Sequence, residues 1–159
     1  MDYKIRVHHR PKDYYENGKS FLNAAFRCCG QKENGEFVII NHGKMVLLPA
    51  PTVVNAAFAC EMFLKAMLVN DGIIKFKNHS LLKLYDLLSE DTHKKICSYF
   101  DDESGEPFLR KQIAKHPDDF VDIRYYVENE EWGQMDPTAV VTLAYNLSEI
   151  TKFVLGLND

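Results

Sequence analysis

A chain of 159 residues, 46% apolar and 26% charged, is the size of one domain and can bury a core without staples. Its formal net charge of −4 argues against a general nucleic-acid coat, which would be basic. The opening MDYKIRVHHRPKDYY has no apolar signal-peptide centre, and the longest apolar run is short for a membrane span and charged at its middle, so a cytoplasmic protein is expected.

Residues 12 to 29 carry Tyr14, Phe21, Ala25 and Cys28 in one helical stripe, widened by Tyr15, Leu22, Phe26 and Cys29. Gly30, tolerant of positive φ, is expected to stop that helix. Phe37 to Ile40 and Met45 to Leu48 are β-favouring runs around Asn41-His42-Gly43-Lys44. They predict a small hairpin inserted at about 36–48, and Pro49 and Pro51 then lead into the next helix. That helix, VVNAAFACEMFLKAMLV at 53–69, is apolar on most sides and is read as the buried centre of a bundle. Glu61 and Lys65 interrupt it four residues apart, acid before base, on one face. Burying both is costly unless they pair or meet water in a cleft. Together they cut a polar notch into an oily rod.

After Asn70-Asp71-Gly72, residues 79 to 89 place Leu81, Leu84, Tyr85 and Leu88 on one face, with Asn78 or Ser80 as cap. Short helices are predicted at 91–100 through Ile96, Tyr99 and Phe100, and at 107–116, ending at or before His116 because Pro117 follows. A helix is also predicted at 119–129, through Phe120, Ile123 and Tyr126. The last helix starts with Asp136 as cap and Pro137 at its first position. Its stripe is Val140, Leu143, Ala144, Leu147, Ile150, Val154 and Leu157. The fold expected is all-α: a single domain over 1–159, an antiparallel up-and-down helical bundle with a small β-hairpin between its first two long helices.

Cys28, Cys29, Cys60 and Cys97 form no C-x-x-C pair, and no histidine spacing completes a zinc site. They read as reduced thiols of a reducing compartment, and no metal or cofactor is expected.

Taken in order, AFACEMFLKAML, a glycine, NHSLLKLYDLL and FVDIRYYVE resemble the HEPN domain (higher eukaryotes and prokaryotes nucleotide-binding), and more narrowly small bacterial HEPN proteins with E-x-x-x-K in the central helix. The likeness runs over roughly residues 12 to 155 and lies in order and spacing more than in any one motif. It implies a helical bundle, a homodimer, and a setting in toxin–antitoxin or phage defence. It also implies, for active members, a metal-independent ribonuclease with R-x(4–6)-H at the dimer cleft. There the 2′-hydroxyl of RNA is the nucleophile, a histidine moves the proton, and an arginine holds the phosphate.

By position the family arginine is Arg124 of RYYVENEE, but Asn129, Glu130 and Glu131 stand where its histidine belongs. Arg110 to His116 fits R-x(5)-H earlier in the chain. The expectation is therefore a HEPN-like module that binds RNA, a nucleotide or a protein partner, without an intact ribonuclease motif. The alternative is a metal-independent endoribonuclease using Arg124 or Arg110 for phosphate and His79 or His116 for the proton. Glu61, Lys65, Tyr125 and Tyr126 are the candidate ligand contacts, the tyrosines as stacking surfaces beside Arg124. A competing reading makes Glu61 and Lys65 a structural ion pair, and makes Arg124 a partner of Glu61 or Asp122.

Overall fold

Apolar residues on every side of one helix leave it nowhere to go but inside, and the run that starts at Pro49 does so. The computed structural model describes residues 9–30, 39–40, 44–45, 48–100, 108–115 and 136–157. Helix α2 (Pro49–Asn70) has fifteen buried residues between Thr52 and Val69. It is about 33 Å long at 1.5 Å per residue. By length and composition it is the one described helix able to cross a membrane, but 83% of that stretch is buried within the protein. A core helix passes the same test.

The fold is predominantly α-helical, with α1 (Pro11–Cys28), α2, α3 (Leu81–Asp86), α4 (Glu90–Tyr99), α5 (Phe108–Ala114) and α6 (Pro137–Leu155) among the described residues. The three long helices α1, α2 and α6 each pack on the other two. Helix α3 leans on α2 and on α5, and α4 leans on α6. On α1 the buried line is Tyr15, Gly18, Leu22 and Ala25; Tyr14, Phe21 and Phe26 are half-buried beside it. Gly18 belongs there for a steric reason. Even an alanine Cβ would stand 2.6 Å from Phe63 Cε1, inside any real carbon–carbon contact, so glycine is what lets α1 approach α2 so closely.

Helix ends follow local chemistry. Asp136 accepts from the backbone N–H groups of Thr138 and Ala139, with Pro137 in the first turn of α6. Gly30, Gly72 and Gly156 take φ values of 77°, 82° and 63° just beyond α1, α2 and α6, a conformation that spares only glycine a steric cost. The segment predicted helical at 79–89 is helical only at Leu81–Asp86. Ser80 is extended, and so is Ser89, which accepts from Thr92 N–H as the cap of α4. Asn78 Oδ1 accepts from Ser80 N–H at 3.2 Å, a turn that holds the chain out of helix until Leu81.

Of the region expected as a hairpin, the described residues are Ile39–Ile40 and Lys44–Met45. They pair antiparallel, with Ile39 opposite Met45 and Ile40 opposite Lys44. Leu48 N–H returns to Cys28 C=O at 2.9 Å, so the chain leaves and re-enters the helical body at adjacent points. The helix predicted at 119–129 lies outside the described residues.

Candidate functional site

The site is built where a reversed chain runs back along α2. Gly72 turns the backbone, and Ile73 N–H bonds to Leu68 C=O at 2.9 Å. The connector 73–80 then retraces the helix, the three steps from Phe76 to His79 running alongside the four from Lys65 back to Glu61. Phe76 thereby comes over Lys65, with Nζ 5.1 Å from the ring centroid, and His79 comes to Glu61.

Glu61 Oε1 accepts from Lys65 Nζ and also from His79 Nδ1, the latter at 3.1 Å. A carboxylate has no proton to give, so Nδ1 carries the hydrogen in this contact, and in the neutral ring Nε2 is then the acceptor. The three side chains differ sharply in exposure: Glu61 is 2% exposed, Lys65 11% and His79 60%. The pair is dry and the imidazole is wet. Glu61 Oε2 is buried and accepts no hydrogen bond among the described residues, an uncommon state for a buried carboxylate oxygen.

Phe76 continues outward to Tyr14 of α1, edge-on at 5.9 Å between centroids. The Tyr14 hydroxyl is hydrogen-bonded to His9 Nδ1 at 2.9 Å, and burial pushes its pKa up. The Phe76 ring thus covers the ammonium of Lys65 from one side, where a cation–π contact partly replaces lost water.

The structure therefore brings together Glu61, Lys65 and His79 of the sequence-predicted residues. Arg110 is engaged elsewhere. Its Nε and a terminal nitrogen hold Asp86 Oδ1 and Oδ2 at 2.9 and 3.1 Å, a two-toothed pair that ties α5 to α3. His116, Arg124, Tyr125 and Tyr126 lie outside the described residues. Sequence reasoning missed Phe76 and Tyr14. An aromatic between two lysines in a connector, as in KFK, was the only signal for the first. Among the described residues no group of three or more His, Cys, Asp or Glu side chains is placed to hold a metal. Compared with family models, with curated proteins and with solved structures, the chain matches none.

Proposed function

We propose that this protein is a HEPN-like cytoplasmic module, an up-and-down antiparallel bundle with an inserted hairpin, that works as a homodimer. It binds RNA, a nucleotide or a partner protein at the surface carrying His79. One observation carries this reading: a buried carboxylate, itself neutralised by a buried ammonium, holds by Nδ1 an imidazole whose side chain is largely exposed. That arrangement orients one polar atom without spending charge at the surface. It suits recognition of a ligand hydroxyl or, when the ring is protonated, a phosphate. Arg124, Tyr125 and Tyr126 are the residues proposed to add a phosphate contact and a stacking surface.

The test is titration of the purified chain with labelled oligoribonucleotides and with adenine nucleotides. His79→Ala is expected to weaken the tighter of these complexes about tenfold, the loss of one charge-assisted contact. Binding that is unchanged in His79→Ala, or absent for every ligand tried with no co-purifying partner, removes the proposal.

A second reading, metal-independent RNA cleavage, is favoured by the same Glu61–His79 contact, because a carboxylate behind Nδ1 also supports an imidazole that takes a proton at Nε2. Cleavage that resists EDTA and disappears in His79→Ala would support it. Cleavage that survives in His79→Ala would take the histidine out of the chemistry.

A further inference from the structure

The connector that brings His79 to Glu61 also carries a row of cations. From Lys75 to Ser80 exposure alternates: Lys75, Lys77 and His79 are exposed, while Phe76, Asn78 and Ser80 are half-buried. The half-buried side chains of Phe76 and Asn78 are engaged with the fold, Phe76 covering the Lys65 ammonium and Asn78 Oδ1 accepting from Ser80 N–H. Neither the Lys75 nor the Lys77 side chain forms an ion pair or a hydrogen bond among the described residues. The stretch IIKFKNHS from Ile73 to Ser80 contains no acid. Three carboxylates adjoin this surface by contact or by sequence, and each is occupied: Glu61 by Lys65 and His79, Asp71 by Ser89 N–H and Thr92 Oγ1, and Asp13 by Arg10.

An exposed ring adjoins the row. Phe76 meets Tyr14 edge-on, and the exposed imidazole of His9 lies nearly parallel to the Tyr14 ring, with 15° between planes and 6.2 Å between centroids. The hydrogen bond between His9 Nδ1 and the Tyr14 hydroxyl fixes that ring in place. Cations and a flat aromatic surface side by side are the two parts from which single-strand binding grooves are built.

We propose that Lys75, Lys77 and His79 follow successive phosphates of a single-stranded nucleic acid, with a base resting on His9. The inference rests on the reading of His79 as a binding residue and names the ligand class for it. Alternate residues of the connector stand no more than about 7 Å apart along the chain, comparable with the step between phosphates of an extended strand. Three cations in a row gain more from a chain of phosphates than from the single phosphate group of a mononucleotide. The ring selects against an acidic peptide, whose carboxylates would meet the cations but would make no use of the imidazole face. A duplex is disfavoured because its bases are already stacked and paired. With a net charge of −4 on the whole chain, attraction is confined to this patch and is sensitive to salt.

The test is fluorescence anisotropy of the full chain with labelled oligouridylate, oligothymidylate and a duplex of the same length, across a salt series. Binding of either single strand, at least about tenfold tighter than of the duplex, supports the proposal, and the ratio between the two strands tells RNA from DNA. Lys75→Gln/Lys77→Gln is expected to weaken the single-strand complex at least about tenfold at low salt. It is also expected to flatten the dependence of log K on log salt by about 1.4, two phosphate contacts at about 0.7 each. His9→Ala is expected to weaken the complex about fivefold or more with the slope unchanged, the loss of one stacked base. Lys19→Gln/Lys152→Gln removes the same charge from the cleft between α1 and α6, which also holds Glu16 and Glu149, and is expected to leave the slope as in the parent. Circular dichroism checks the fold of each variant. The proposal is overturned if neither strand binds, if the cleft variant flattens the slope as much as the connector variant, or if oligoglutamate binds as tightly as the strands and ignores His9→Ala. An unchanged slope in Lys75→Gln/Lys77→Gln, with His79→Ala still weakening the complex, overturns the row but leaves the His79 reading in place; failure of that reading shows instead as binding that ignores His79→Ala.

Discussion

Two of the ion pairs among the described residues bear comparison. Lys65 meets Glu61 within α2, and Arg110 meets Asp86 between α5 and α3. Their surroundings differ. The side chains of the first pair are 11% and 2% exposed, those of the second 36% and 45%. In the first, each charge has lost most of its water and depends on its partner; in the second, water remains a competent substitute. The contrast teaches that spacing and residue type say where charges meet, while burial decides what the meeting is worth.

The largest expected effect breaks the buried pair from one side. Glu61→Ala leaves the Lys65 ammonium uncompensated under Phe76, and Lys65→Ala leaves the carboxylate so. Either is expected to cost about 3–5 kcal/mol in urea unfolding. The double variant Glu61→Leu/Lys65→Met is expected to recover most of that loss, since a well-packed apolar pair avoids desolvation altogether. It is expected to lose the binding proposed for His79, which would have no carboxylate to hold Nδ1. If the double variant is as unstable as the singles, the pair contributes net stability and the proposed site has a weaker claim on it.

An intermediate case sharpens the comparison. Asp71, half-buried at the end of α2, accepts from Ser89 N–H at 2.8 Å through Oδ2 and from Thr92 Oγ1 at 2.6 Å through Oδ1. It fastens the first turn of α4 to the end of α2. Asp71→Ala is expected to cost about 1–2 kcal/mol, a lost helix cap plus a charged hydrogen bond. A thermal melt with no shift would show that the Ser89 hydroxyl, which bonds Thr92 N–H at 3.2 Å, caps α4 well enough alone. Arg110→Ala comes below both. Its loss is expected to stay under about 1 kcal/mol and to shrink further in high salt; a larger, salt-independent loss would mean that the pair is more sheltered than its exposure indicates.

Legibility in the sequence followed the same divide. The long helices were readable because apolar residues at helical spacing leave few alternatives, and the Asp136–Pro137 start and the glycine stops are local rules that tertiary packing did not override. The i, i+4 charge pair was legible within α2 as well. Its third member was not, because His79 reaches Glu61 only through the reversal at Gly72 and the return of the connector, a long-range consequence of packing. Tyr99 followed the helical pattern through Ile96, yet it is 42% exposed while Ile96 is fully buried. Gly18 left no mark on the hydrophobic stripe, since a missing side chain cannot, although a Cβ there would meet Phe63 at 2.6 Å. Arg110 matched a catalytic spacing, and no spacing rule could foresee Asp86 as its partner 24 residues earlier in the chain.

The smallest effect lies beside the exposed pair. His93 of α4 is half-buried, its ring 4.8 Å from that of Tyr85. Burial lowers its pKa from the ordinary 6.5; Asp86 and then Asp71 pull it partly back up, and Arg110 pushes it down again. A folded-state pKa below the unfolded one means that the unfolded chain binds more protons in the interval between them. The contribution of His93 to stability is therefore complete above about pH 6.5 and is lost as pH falls through the folded value. Melting temperatures from pH 8 to pH 5 are expected to fall more steeply for the parent than for His93→Gln, with the two curves parallel above about pH 7. Arg110→Ala removes a charge that disfavours the imidazolium, so it is expected to soften the acid-side decline while leaving the alkaline side alone. If Arg110→Ala instead steepens that decline, the pull of Asp86 on His93 operates only while Arg110 holds the carboxylate in place, and the exposed pair would then matter for position more than for charge.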